Sequence, residues 1–143
     1  MPGYYEYRHT VGLEETNLVG TVYYVSYLRW QGRCWEMMLK DKGLTGLLAE
    51  DLELVTLRAE CEFFADITAF DDLSIRMRLE ELSRTEIELN FDYVRIHDGA
   101  EQLVARGRRR IDCTHGPDAA PSQVPVALRA ALLPYAETPI PSK

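Results

Sequence analysis

Backbone N–H groups left unused at the start of a helix attract developing negative charge, and one stretch of this chain is suited to present them. The stretch is Glu15-Thr16-Asn17-Leu18-Val19-Gly20-Thr21-Val22-Tyr23-Tyr24-Val25-Ser26-Tyr27. It opens with turn formers, Thr16-Asn17 and Gly20, and runs on as an apolar helix. Such a turn delivers free amides at a buried helix N-terminus, a natural place for an oxyanion. Tyr27 and Arg33 are polar groups on that otherwise apolar helix. A buried arginine needs a partner or a route to water, so Arg33 either serves a site or pairs with Glu36. Asn17 either takes part in the chemistry or only shapes the turn, because Asn tolerates left-handed backbone and caps its own chain.

These residues need a scaffold, and apolar periodicity supplies it. Residues 4–13 alternate, with Tyr5, Tyr7, His9 and Val11 on one face, as a strand does. The helix is expected from Val22 to about Lys40, ended by Gly43 and apolar on nearly every side, so other structure should wrap it. A partly helical connector follows from Gly43 to about Glu50. Val55, Leu57, Ala59, Cys61 and Phe63 then alternate with Leu54, Thr56, Arg58, Glu60 and Glu62. Two more alternating runs carry Leu73, Ile75, Met77 and Leu79, then Ile87, Leu89, Phe91 and Tyr93, with turns near 69–72 and 83–84. A turn at His97-Asp98-Gly99 leads into a last strand, about Glu101 to Cys113. Strands with one apolar face joined by short turns make an antiparallel sheet with one solvated side, and the helix is the element available to cover the other. After Thr114 the chain becomes loop-like, then forms a short helix from Val124 to Leu133, with Ser122 as its cap and Pro125 in its first turn; a loose tail follows Pro134.

The 143 residues suffice for one domain. A net charge of -7 argues against nucleic acid and anionic membrane as partners. Cys34, Cys61 and Cys113 are far apart and form no C-x-x-C pair, so they read as reduced thiols of a cytoplasmic protein, with no zinc site. No signal peptide or membrane-length apolar run is visible. No His/Cys/carboxylate spacing calls for a metal, and no cofactor is expected.

The order of elements, with Glu15-Thr16-Asn17-x-x-Gly20-x-Val22-Tyr23-Tyr24-x-x-Tyr27, resembles the hotdog-fold acyl thioesterases of the 4-hydroxybenzoyl-CoA thioesterase type over residues 4 to about 115. Phe64-Ala65-x-Ile67-x-x-Phe70-Asp71-Asp72-Leu73 is similar to a second landmark of that family. The resemblance implies an α+β fold, a single hotdog domain over residues 1–143 with an antiparallel sheet wrapped around a central helix. It also implies edge-to-edge dimers that can pair into tetramers.

Asn17 stands where that family usually has a carboxylate. With Glu14-Glu15-Thr16-Asn17-Leu18-Val19-Gly20 and Tyr27-Leu28-Arg29-Trp30-Gln31-Gly32-Arg33-Cys34, the chain looks closest to the thioesterases of enediyne polyketide biosynthesis. Those release a β-keto polyene from the acyl carrier domain of an iterative polyketide synthase, and decarboxylation leaves a linear polyene. The resemblance assigns Asn17 and Tyr27 to orienting water or substrate, the Tyr24 N–H to the oxyanion, and Arg33 to a supporting cationic role. Relatives often carry an arginine where this chain has Trp35. An apolar tunnel between helix and sheet would hold the acyl chain. The alternatives are a generic acyl-CoA thioesterase and a non-catalytic acyl-binding hotdog. His9 reads as a structural histidine, and Glu14, Glu15, Glu60 and Glu62, the remaining carboxylates that could supply a base, as solvated or paired. Arg106-Gly107-Arg108-Arg109-Arg110 reads as a solvated strand end that an acidic carrier protein could meet.

Overall fold

The computed structural model describes residues 3–49 and 51–136. Strand β1 (Tyr5–Thr10) is followed by helix α1 (Tyr24–Asp41), then by β2 (Leu52–Phe63), β3 (Asp72–Leu82), β4 (Glu86–His97) and β5 (Ala100–His115). These strands form one antiparallel sheet in the order β1-β3-β4-β5-β2. Alternation explains it: Ile87, Leu89, Phe91 and Tyr93 of β4 are fully buried, and so are Leu73, Ile75 and Met77 of β3. The sheet curls over α1 with that apolar face, which is the hotdog arrangement. The chain crosses from one sheet edge, β1, to the other, β2, through the helix.

The β2 alternation is not continuous. A bulge between Thr56 and Arg58 shifts the pairing with β5. Leu52 and Leu54 turn inward before it, and Ala59 and Cys61 after it, while Val55 and Leu57 stay exposed. One extra residue flips every following side chain, so a uniform period of two could not hold.

Helix α1 starts two residues later than expected. Val22 gives its N–H to the Ile67 carbonyl and bridges Thr16, which holds it in extended backbone. The helix ends as expected: Gly43, at φ +70°, lets Leu44 N–H reach the Leu39 carbonyl and its own N–H reach Lys40. The sheet wraps the helix as expected, but the expectation of an apolar surface on nearly every side is corrected by the structure. Ser26, Tyr27, Trp30, Gln31, Cys34, Trp35, Met38 and Leu39 face the sheet, whereas Arg29, Arg33, Glu36 and Lys40 face solvent. The sheet covers one face only, and the polar stripe was hidden among Tyr, Trp and Met.

Beyond β5 a two-residue strand β6 (Ala120–Pro121) pairs with it, and α2 spans Val126–Leu132. Ser122 does not cap α2, because it lies four residues before Val126 and Pro125 holds the cap position without a side-chain hydrogen bond; the Pro125 carbonyl accepts from Arg129 N–H. Leu128, Leu132 and Tyr135 join the main core, so Pro134 and Tyr135 are ordered. The remainder of the expected loose tail, 137–143, lies outside the described residues. No helix among the described residues is long and apolar enough to cross a membrane.

Candidate active site

Residues 15–23 form a tight hairpin that delivers the chain into α1. Tyr23 N–H donates to the Glu15 carbonyl at 3.0 Å, and Asn17 N–H to the Thr21 carbonyl at 2.7 Å. Gly20, at φ +89°, closes the tip. The Asn17 side chain serves the turn: Oδ1 accepts from Val19 and Thr21 N–H at 3.0 and 3.2 Å, and Nδ2 donates to Thr21 Oγ1 at 3.0 Å. The second Nδ2 hydrogen is what Asn17 can still offer to a bound group. The segment 64–71 braces this hairpin through the Val22–Ile67 hydrogen bond and a Thr21–Thr68 bridge. Asp71 Oδ2 in turn accepts from Thr68 N–H at 2.9 Å.

Tyr23 is the last extended residue, at φ -61° and ψ 135°, so Tyr24 supplies the first helical amide. Neither Tyr24 nor Val25 N–H has an acceptor among the described residues, as expected of a first turn without a side-chain cap. The expected burial of this end is corrected in the single chain, where Tyr24 is 66% and Val25 51% exposed.

Tyr24 and Tyr27 converge on Phe63 of β2, with ring centroids at 4.5 and 4.8 Å. Tyr27 also packs against Trp30 and Tyr93, and burial raises its phenol well above the ordinary range, so it acts as a neutral hydroxyl. Arg33 is not part of this group. It is nine residues beyond Tyr24, about 13.5 Å along the axis and half a turn round. Its exposed guanidinium meets Glu36 at 3.8 Å, the pairing weighed as its alternative. The space expected to be an acyl tunnel is filled by Tyr27, Trp30, Phe91 and Tyr93, all buried. A cavity of about 380 Å³ lies instead against the sheet, lined by Glu60, Cys61, Glu62, Asn90, Arg106 and Arg108.

The arginine run is mid-strand, not a strand end. Arg106 pairs with Asp92, Arg108 with Glu80, and Arg110 with Glu86 and Glu88, so its outward charges meet carboxylates of β4 and, beyond it, β3. Arg109 points inward to α1 and donates to the Leu28 carbonyl at 2.8 Å and to Thr56 Oγ1 at 3.2 Å; burial lowers its pKa. Gln31, fully buried, donates Nε2 to the Glu60 carbonyl at 2.9 Å directly over Gly107.

Glu15 is more than a solvated carboxylate. Oε1 accepts from Gly12 N–H and His9 Nε2, each at 2.8 Å, and Oε2 from Trp30 Nε1 at 2.7 Å. Burial alone would raise its pKa, but the three donors outweigh it and hold the carboxyl below its ordinary range. A depressed folded-state pKa stabilises above the unfolded pKa and is lost as pH falls through the folded value. Wild type should therefore lose urea stability between about pH 5 and pH 2 more steeply than Glu15→Gln. Parallel declines in the two proteins would refute this.

Burial pushes the Cys61 thiol up to about 12 and that of Cys113 to about 11, and raises Cys34 further; all three are free. Among the described residues no cluster of three or more His, Cys, Asp or Glu is placed to hold a metal.

The family model of the thioesterase-like superfamily matches residues 11–132. The 1,4-dihydroxy-2-naphthoyl-CoA hydrolase of Acaryochloris marina is 26% identical over 110 residues, 75% of this chain and 80% of that protein. The dynemicin thioesterase superposes with a TM-score of 0.90 at 42% identity, covering 94% of this chain and 99% of that one. Its crystal structures reveal induced-fit and allosteric effects upon polyene binding. The D17N mutant of 4-hydroxybenzoyl-CoA thioesterase, complexed with 4-hydroxybenzoyl-CoA, shares the fold at TM-score 0.82 and 17% identity, over 92% of this chain and 99% of that one.

Proposed function

We propose, from the premise that this chain belongs to the thioesterase-like superfamily and is a thioester hydrolase, that its substrate is a β-ketoacyl polyene thioester carried on an acyl carrier domain of an enediyne polyketide synthase. The observation that carries the site assignment is the pair of open amides of Tyr24 and Val25 beside the Asn17 hairpin. The 42% identity to a thioesterase that binds polyene supports the substrate class.

Water adds to the thioester carbonyl, and the oxygen takes the developing charge onto the Tyr24 N–H and the helix dipole. Collapse expels the carrier thiol, which takes up a proton, and leaves a β-keto acid. That acid loses CO₂ because its β-carbonyl accepts the electron pair, so no cofactor enters. Asn17 holds the water or the carbonyl through its remaining amide hydrogen, and the neutral Tyr27 hydroxyl orients the acyl group. A second copy paired edge to edge along β2 covers the exposed helix start, where Tyr24, Val25, Leu57 and Phe63 leave apolar surface. Arg33 and the exposed Arg29, one turn apart on the outer face of α1, suit an acidic carrier.

The test is single-turnover release of acid and thiol from a β-ketoacyl thioester, on a carrier domain and on coenzyme A, with the product identified by mass. Preference for coenzyme A would favour the acyl-CoA reading, to which the naphthoyl-CoA hydrolase relative lends support. No acid release from either substrate would leave an acyl-binding protein.

Asn17 separates these outcomes further. Asn17→Asp keeps an acceptor for the Val19 and Thr21 amides but puts negative charge beside the oxyanion, so it should fold and turn over slowly. Asn17→Ala should stay folded and lose about 10-fold or more in kcat/KM. A folded Asn17→Ala protein with wild-type rates removes Asn17 from the mechanism.

A further inference from the structure

The hydrogen bonds around Glu15 exceed what a turn residue needs. Its carboxylate gathers donors from three places: His9 on β1, the Gly12 amide before the short turn 13–15, and the Trp30 indole in the second turn of α1. Its backbone carbonyl holds Tyr23 N–H, the residue immediately before the first helical amide. One residue thus ties the base of the Asn17 hairpin to both β1 and the helix body. Trp30 is 3% exposed and its ring lies 4.9 Å from His9, so the anchor is stiff on both sides. Asn17 follows Glu15 by two residues and Tyr24 follows Tyr23 by one, so the Glu15–Tyr23 pair lies between the hairpin tip and the first helical amide.

We infer that Glu15 is a positioning residue for the reaction: its carboxylate sets the Asn17 hairpin against the first-turn amides of α1, without touching substrate. The inference rests on the proposed site at the helix start, and it deepens that assignment. An amide cannot replace the carboxylate, because it has one acceptor oxygen for donors that arrive from two sides, and its NH₂ opposes one of them. Trp30→Phe removes the same Oε2 contact from the other partner and keeps most of the ring packing.

The experiment compares wild type, Glu15→Gln and Trp30→Phe by steady-state kinetics and by amide hydrogen exchange. Each is measured well below its melting temperature. In both variants kcat should fall about 10-fold with KM within about twofold, since loss of an interaction made only in the transition state lowers kcat. Exchange should quicken at Asn17, Thr21 and Tyr23 while β3 and β4 keep their protection. Unchanged hairpin exchange overturns the inference, as does equal loss of protection throughout the chain, which marks a merely structural role. An unchanged kcat in both folded variants overturns it too. A wild type that hydrolyses no thioester defeats the functional reading instead, and exchange in the hairpin still decides whether Glu15 holds it.

Discussion

Tyr24→Pro is expected to lower kcat by about a hundred- to a thousand-fold relative to Tyr24→Ala, the loss that follows removal of one oxyanion donor. Proline is tolerated at the first position of a helix, where its missing N–H would have no helical partner in any case. The preceding residue is already compatible, because Tyr23 has the extended φ -61° and ψ 135° that proline demands of its neighbour. The substitution therefore deletes the donor and leaves α1 in place. It also removes the Tyr24 ring from Phe63, and Tyr24→Ala controls for that loss. Comparable kcat values in the two folded variants would move the oxyanion elsewhere, with Val25 N–H as the adjacent choice.

Gly107→Ala should be the most damaging methyl that can be added to the sheet. A Cβ there would stand 2.1 Å from Gln31 Nε2 and 3.1 Å from the Glu60 carbonyl. Gln31 is flexible in principle, but it is fully buried and its amide holds that same carbonyl at 2.9 Å, while Arg109 leans on its oxygen at 3.4 Å. Making room breaks these contacts, and overpacking of this kind costs about 1–3 kcal/mol. Gln31→Ala in the Gly107→Ala background should recover part of the loss, since the methyl then enters vacated space. The pair should be non-additive by about 1 kcal/mol in urea melts. Strict additivity would mean that Gln31 and Gly107 do not share the space.

The sheet was legible from residue types because period-two alternation holds from Leu73 to Leu79 in β3 and from Ile87 to Tyr93 in β4, ahead of the shifts at Leu79/Glu81 and Tyr93/Val94, and their turns are short. β2 was harder to read for a physical reason: the bulge at Leu57 adds one residue with no compositional mark. The late start of α1 depends on Val22 reaching Ile67, a partner 45 positions away that local propensity does not register. The solvent face of the helix was hidden because Tyr, Trp and Met flank its arginines.

The candidate site divides in the same way. Asn17, Tyr24 and Tyr27 belong to one continuous stretch, the hairpin and the first turn of α1 that follows it. Arg33 belongs to that stretch too, but nine residues of helix turn it away. Glu15 was underrated because its partners, His9 and Trp30, lie six and fifteen residues off. Arg109 looks like its neighbours in composition; only the inward phase it shares with Ala105, Gly107 and Ile111 distinguishes it.

The pairing of β2 with β5 sets a problem of timing for the ribosome. β3, β4 and β5 are joined by links of two or three residues and can zip up as they emerge. Cys61, by contrast, waits for Gly107, and the ladder is complete only when His115 has been made. At about 5–20 residues per second the interval from Phe63 to His115 lasts about 3–10 s. Throughout it β2 lacks its strand partner and exposes Val55, Leu57 and Phe63. A nascent chain stalled before Arg106 is therefore expected to self-associate through β2, and holding chaperones should engage that window rather than the later hairpins.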